Sequence, residues 1–233
     1  MNNKFSIKRL IATIGSNKQL CAGCIILLLI VLVVVLTPVL ATHDPEVLDS
    51  SMLEPPSAEH LFGTDGLGRD VYSRILHGAK TSITVGLVSA AISFIIGTVI
   101  GGLAGFLGGG FDRFINELIN VFLMIPTFFL ILIIVAIFGS SMLNVMIVIG
   151  LTSWPSNARL MRVQAMSLKE RTFIKSMVAI GESKPQILFR YIIPNGIYPV
   201  LANTTLSVAG AILTEASLSF LGLGDPNIIS RAR

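Results

Sequence analysis

Residues 118–158 read LINVFLMIPTFFLILIIVAIFGSSMLNVMIVIGLTSWPSNA, 41 positions without one Asp, Glu, Lys or Arg. A helix crosses the hydrocarbon core of a bilayer with about 20 apolar residues, so this run is too long for one span and long enough for two. Gly139-Ser140-Ser141 divides it, predicting helices over about Leu118–Phe138 and Met142–Arg159. Pro126 falls inside the first, where it removes a backbone hydrogen bond and predicts a kink. Trp154-Pro155, near the end of the second, suits the headgroup level that a tryptophan ring prefers.

Residues 19–42, 81–111 and 191–214 are equally free of charge. The first of these holds Leu20–Leu40, behind Lys4, Lys8, Arg9 and Lys18; its apolar part exceeds the roughly 7–15 residues of a signal-peptide core, predicting an uncleaved anchor. The second predicts a span over about Ser82–Phe106 in which Gly97, Gly101, Gly105 and Gly109 recur every fourth position, with Gly86 and Ala90 near the same stripe. Small residues at that spacing let helix backbones approach closely in lipid. No Lys-Ser/Thr follows these glycines, so they do not form a phosphate-cradling loop. A fifth span is predicted over about Gly196–Leu221, and the expected fold is an all-α polytopic membrane protein.

The composition of the 233 residues agrees, with 53% hydrophobic and 13% charged, where a soluble domain carries about a quarter charged. This excludes a disordered chain and argues against a water-soluble globule. The net charge of +4 does not signal nucleic acid, because the basic residues sit only in the gaps between spans. With the N-terminus inside, twelve Lys and Arg fall on the cytoplasmic side, and five (Arg69, Arg74, Lys80, Arg231 and Arg233) fall outside. The positive-inside rule therefore predicts a cytoplasmic N-terminus. Thr42–His77, with seven carboxylates and two arginines, is then extracytoplasmic. Its His43, His60 and His77 match no compact metal-ligand spacing and are read as solvated loop residues. Cys21 and Cys24, at the mouth of the first span, are read as packing residues. No catalytic residue, cofactor or metal is expected.

Residues 164–195 form a basic amphipathic insertion with helix punctuation of its own. Ser167-x-x-Glu170 reads as a capping box, Gly181 as a helix stop, and Ser183 as the N-cap of a second helix with Pro185 in its first turn and Gln186 at N3. Phe173, Met177 and Ile180 make an apolar stripe that needs burial. One possible resting place is the lipid surface, with the basic residues on anionic headgroups.

The frame of Gly181, nine residues, then Tyr191-Ile192-Ile193-Pro194 resembles the cytoplasmic signature of ABC importer permeases, Glu-Ala-Ala-x3-Gly-x9-Ile-x-Leu-Pro. Lys175, Ser176 and Met177 stand at the Glu-Ala-Ala positions, so a base replaces the opening acid, and Tyr191 replaces the isoleucine. His60-Leu61-Phe62-Gly63-Thr64-Asp65-Gly66-Leu67-Gly68-Arg69-Asp70-Val71-Tyr72-Ser73-Arg74 resembles the segment before the permease core in the dipeptide, oligopeptide and nickel importer family. Glu215-Ala216-Ser217-Leu218-Ser219-Phe220-Leu221-Gly222-Leu223-Gly224 resembles the end of that family's fifth span.

The resemblance implies a type I importer fold in the cell membrane of a prokaryote. Residues 1–80 would be an anchor plus an acidic outer segment, and residues 81–233 a permease core with a coupling loop at 164–195. It implies a second permease subunit in a heterodimer, two cytoplasmic ATPase subunits, an extracytoplasmic solute-binding protein, and peptides or nickel as cargo. Phe173, Lys175, Ser176, Met177, Gly181, Glu182, Ser183 and Pro194 would belong to the ATPase-coupling loop. The outer family segment would contribute Gly63, Thr64, Asp65, Gly68, Arg69, Asp70 and Arg74, with an ion-pair network among its charged members. An ionisable Glu215 near the end of a span is a candidate pathway residue. The family continues past Gly224-Asp225-Pro226 into a sixth span where this chain ends at Ser230-Arg231-Ala232-Arg233, giving the expectation of a truncated product with five spans of six. With no Walker motif, the chain is not expected to hydrolyse ATP. The competing expectation is a membrane-anchored structural or signalling protein whose basic loop binds lipid.

Overall fold

The computed structural model describes residues 17–45, 47–48 and 51–224. Expectations for the basic N-terminal residues 4–9 and for the Arg-Ala-Arg terminus fall outside those residues. Among the described residues eight helical elements follow in order: α1 (Lys18–Leu40), α2 (Val71–Leu107), α3 (Gly109–Met124), α4 (Thr127–Phe138), α5 (Met142–Lys169), α6 (Thr172–Ala179), α7 (Lys184–Gly196) and α8 (Tyr198–Phe220). The chain forms two compact units, Met1–Thr81 and Ser82–Arg233.

In the first unit, α1 starts where the Asn17 side chain accepts from the backbone N–H of Gln19 and Leu20 at 3.1 and 3.3 Å. Its leucine, isoleucine and valine side chains are exposed almost throughout, as suits a helix solvated by lipid. Residues 51–70 then form an irregular knot with a single isolated bridge, Thr64 to Asp70.

The second unit is built around α5, which packs against α3, α4, α7 and α8. Glycine brings α2 and α5 together: a Cβ on Gly97 would meet Asn157 Cβ at 2.6 Å, one on Gly105 would meet Ala165 Cβ at 2.9 Å, and one on Gly101 would strike the Ala158 backbone. Gly150 of α5 reciprocates, its missing Cβ leaving room for Ile92. The expected small-residue stripe is thus the α2–α5 seam, while Gly86 receives Val208 and Ile212 of α8. Gly109 is not on the stripe. With Gly108 it turns the corner between α2 and α3 at positive φ (71° and 62°), a backbone that glycine adopts without strain.

Polar groups seal the same seams. Ser89 Oγ donates to the Met146 carbonyl (2.9 Å), and Asn157 links α2 to α8 by donating to Ser93 Oγ (3.0 Å) and accepting from Asn203 (2.9 Å). Arg162 grips Asp112 with two bonds of 2.5 and 2.8 Å, and Arg159 donates to Asn120 at 2.9 Å, so two arginines of α5 clamp it along α3.

Two predicted helices are corrected. Pro126 does more than kink its helix: Ile125 is forced into extended geometry (φ −83°, ψ 127°), and α3 and α4 meet at 86°. The helix predicted to end at Arg159 continues to Lys169, its Arg159 and Arg162 being satisfied by Asn120 and Asp112 of α3. By length and apolarity α1 and α2 can each cross a membrane, as can the bent pairs α3–α4 and α7–α8 (63°) if each is one span. The described residues therefore yield two to four such spans; α5, predicted as the fourth of five, is too polar to be counted with them.

Candidate functional site

The loop between α5 and α8 takes its shape from three local features. Ser167 lies within the last turns of α5 and Glu170 is that helix's C-cap, so the expected capping box does not form; α6 begins after Arg171 instead. Glu170 turns to Lys175 (2.9 Å), whose hydrogen bond keeps this exposed carboxyl below its ordinary range. At its other end α6 stops as its glycine predicts: Gly181 has φ +86°, and Glu182 N–H reaches back to the Met177 carbonyl at 3.1 Å. Ser183 caps α7 by position, but its hydroxyl bonds the Gln186 side chain rather than a backbone N–H.

The third feature was not anticipated. Ile187–Ile192 is a π-helical segment inside α7, ending one residue short of Pro194. Proline supplies no N–H and its ring crowds the carbonyl four residues back, so widening the turn accommodates it. Asn195 Nδ2 donates to the Tyr191 carbonyl at 2.6 Å in the same turn. Tyr191 itself donates to Glu182 Oε2 across a long 3.5 Å, beneath the Arg190 guanidinium.

Packing divides α6 into two faces. Ile174, 1% exposed, sinks among Met161 and Ala165 of α5 and Ile187, Leu188 and Ile192 of α7, with Met177 partly buried beside it. Phe173 and Ile180, of the predicted stripe, stay 43% and 72% exposed, as does much of Val178. Ile174 escaped the sequence reading because it lies one position off the Phe173 stripe. Ser176 back-bonds to the Thr172 carbonyl at 3.0 Å and Lys175 points outward.

A second feature is an open cavity of about 330 Å³ lined by α3, α4, α5 and α8. Thr127, Thr152, Ser153, Ser156, Asn203, Ser207 and Thr214 give it polar walls between Leu123, Phe128 and Leu206, and none of its lining residues is charged. Thr152, Ser207 and Thr214 satisfy their hydroxyls on their own helices at 2.8–3.0 Å, leaving lone pairs to face the cavity. Glu215 is not part of the lining; its Oε1 accepts from Ser219 Oγ at 2.7 Å.

In the first unit the motif residues build the knot. Gly63 (φ +72°) lies so close to the Glu54 carbonyl that a Cβ would collide, and Gly68 (φ +76°) closes the turn in which Asp65 accepts from Gly68 N–H's neighbours Leu67 N–H (2.8 Å) and Arg69 N–H (3.1 Å). Thr64 Oγ1 donates to the Ser51 carbonyl (2.7 Å) and accepts from Glu54 N–H (2.9 Å). Asp65 pairs with Arg69 and Arg74 as the ion-pair expectation required. Burial opposes its charge, but the backbone bonds from Arg69 and Leu67 and the Arg69 side chain outweigh that and hold the carboxyl at about 2, against 3.8 ordinarily.

Asp70 departs from that network. Its Oδ2 caps α2 by accepting from Ser73 N–H (2.8 Å), and its Oδ1 meets His60 Nδ1 at 3.0 Å. Burial again opposes ionisation, and the bonds from Ser73 and His60 prevail, keeping the carboxyl below its usual range. His60 is 4% exposed, so the reading of it as a solvated loop residue is corrected: a carboxylate partner makes its burial tolerable. His77 Nδ1 lies 3.0 Å from the Ser73 carbonyl.

Helices apolar enough to cross a membrane, gathered around an uncharged polar cavity, fit a membrane transport permease. The chain belongs to the family described as binding-protein-dependent transport system inner membrane component, which matches residues 97–232. It is similar to the probable D,D-dipeptide transport system permease protein of Escherichia coli (36% identity over 95% of this chain and 74% of that protein). It is also similar to the dipeptide transport system permease protein of Alkalihalophilus pseudofirmus (38%, over 89% and 69%). The oligopeptide transport system permease protein of Bacillus subtilis is 33% identical, over 91% of this chain and 70% of its own length.

Proposed function

We propose that this permease forms half of the translocation pathway of an ATP-driven importer. Its partners would be a second, different permease subunit, two cytoplasmic ATPase subunits and an extracytoplasmic solute-binding protein. The two-faced α6 carries the reading. One face shares a core with α5 and α7, and the other offers Phe173, Val178 and Ile180 to a groove on another protein. Seated in an ATPase, α6 with Lys175, Ser176, Met177, Gly181, Glu182 and Ser183 would pass nucleotide-driven movement into α5, and through the π-turn before Pro194 into α8. Hydrolysis itself belongs to the ATPase partners.

The cargo fits peptides, as the relatives' names state for those proteins. Uncharged hydroxyl and amide walls can hydrogen-bond a peptide group in passing, whereas a nickel ion would find no imidazole, thiolate or carboxylate among the residues lining the cavity. Glu215, next to Thr214 of the lining, would stand at the outer end of that pathway. Residues 1–80 would supply the anchor and outer segment, with the N-terminus and the 164–195 loop in the cytoplasm.

The Phe173→Glu/Ile180→Glu double variant tests the coupling role in the assembled transporter. Loss of ATPase co-purification and of peptide uptake, with insertion and thermal stability unchanged, is expected. Retention of both would overturn the proposal, and salt-sensitive binding of the chain to anionic vesicles without an ATPase partner would favour the lipid-binding loop instead.

A further inference from the structure

The knot between α1 and α2 brings together three side chains that the transport reading does not use. His43 and His60 face each other with ring centroids 4.7 Å apart, and one ligand atom from each of His43, Glu59 and His60 lies within 4.8 Å of the others. Each ring is fastened at Nδ1: that of His43 lies 3.0 Å from Thr42 Oγ1, and that of His60 lies 3.0 Å from Asp70 Oδ1. An ionised carboxylate only accepts, so His60 carries its proton on Nδ1 and coordination through Nε2 keeps the Asp70 bond intact. His43 is held from the backbone as well, its N–H donating to Ser73 Oγ at 3.1 Å, and that same hydroxyl bonds Asp70. A carboxylate behind an imidazole that orients it toward a shared point is the second-shell pattern of metal-binding histidines.

We propose that His43, Glu59 and His60 bind a divalent transition-metal ion, Zn²⁺ fitting the two nitrogens and one oxygen best, with Asp70 as the positioning residue. Zinc bonds are about 2.0–2.2 Å long, so the three atoms must draw together by roughly an ångström. Glu59 is exposed and can supply most of that movement. Three protein ligands leave a fourth position open to water or to a donor group from outside. The ion would tie residue 43, just beyond α1, to residues 59 and 60. This site is independent of the coupling role of α6.

The test uses the full chain, without a polyhistidine tag, in detergent micelles titrated with Zn²⁺ against a chromophoric chelator. One Zn²⁺ per chain is expected, with affinity at least tenfold lower in His43→Ala and in Glu59→Gln and unchanged in His77→Ala. Asp70→Asn should weaken binding by about 10–100-fold. Because Asp70 also caps α2, the exposed Glu59→Gln keeps the question open to an answer if Asp70→Asn misfolds. Co²⁺ in place of zinc should show the intense visible bands of a low-symmetry four-coordinate site, and these should vanish in His43→Ala. Failure to bind stoichiometrically, or equal affinity in His43→Ala, Glu59→Gln and the original chain, would overturn the proposal.

Discussion

Asp65 gathers donors from Leu67, Arg69 and Arg74 onto one carboxylate, and the knot between α1 and α2 turns about it. Its folded pKa of about 2 lies below the ordinary 3.8, so the charged form stabilises the native state above the ordinary value. That stabilisation is lost as pH falls from 3.8 toward 2, and by linkage amounts to roughly 2 kcal/mol at neutral pH. Asp65→Asn should therefore lower stability by about that amount at pH 7 and flatten the acid limb of the profile. Thermal unfolding in detergent micelles between pH 7 and 2 measures both; an unchanged acid limb would show that Asp65 is not the group responsible. The sequence identified the right charged residues here but paired Asp70 with arginine. A buried histidine ten residues away has no signature in spacing, and the carboxylate that makes its burial tolerable is recognisable only once the chain has folded.

The helix stop at Gly181 depends on a left-handed backbone at φ +86°. Valine there would cost about 1–2 kcal/mol, whereas asparagine tolerates that conformation. Gly181→Val should accordingly pull Ile174 of α6 from its seat between α5 and α7 and reduce peptide uptake in the reconstituted transporter, while Gly181→Asn should retain most of it. Equal uptake by the two variants would separate the helix stop from coupling. Gly181 was legible because its punctuation is local and chemically enforced, and the same is true of the charge-free runs that became α1, α2 and α8. Pro126 shows where such reading ends: the residue marks an interruption, but only packing against α5 decides whether a helix bends slightly or turns by 86°. Ser167 and Glu170 satisfied a capping pattern that lost to the continuation of α5 as far as Lys169, and the π-turn of α7 answers crowding at Pro194 that no periodicity records.

Across the whole molecule, the glycine seam and the charge-free runs were readable because lipid leaves few ways to bury a backbone. The cavity was not, since its hydroxyls and amides come from helices far apart in sequence and meet only where α4 and α8 pack against α5. Orientation rests on the distribution of basic residues, and it makes a demand that both ends of the proposed mechanism share: α6 must face the ATPases and the 51–70 knot must face the solute-binding protein. Leu61 and Phe173 are each exposed, at 47% and 43%, and so report the two sides. With Cys21 and Cys24 replaced by serine to remove background thiols, Leu61→Cys should react with a membrane-impermeant maleimide in cells whose inner membrane is intact and accessible from outside. Phe173→Cys should react only after permeabilisation. The reverse pattern would place the basic loop outside, where no ATP-driven partner could reach α6, and would overturn the coupling role together with the orientation; labelling of both thiols in intact cells would contradict a membrane barrier between them.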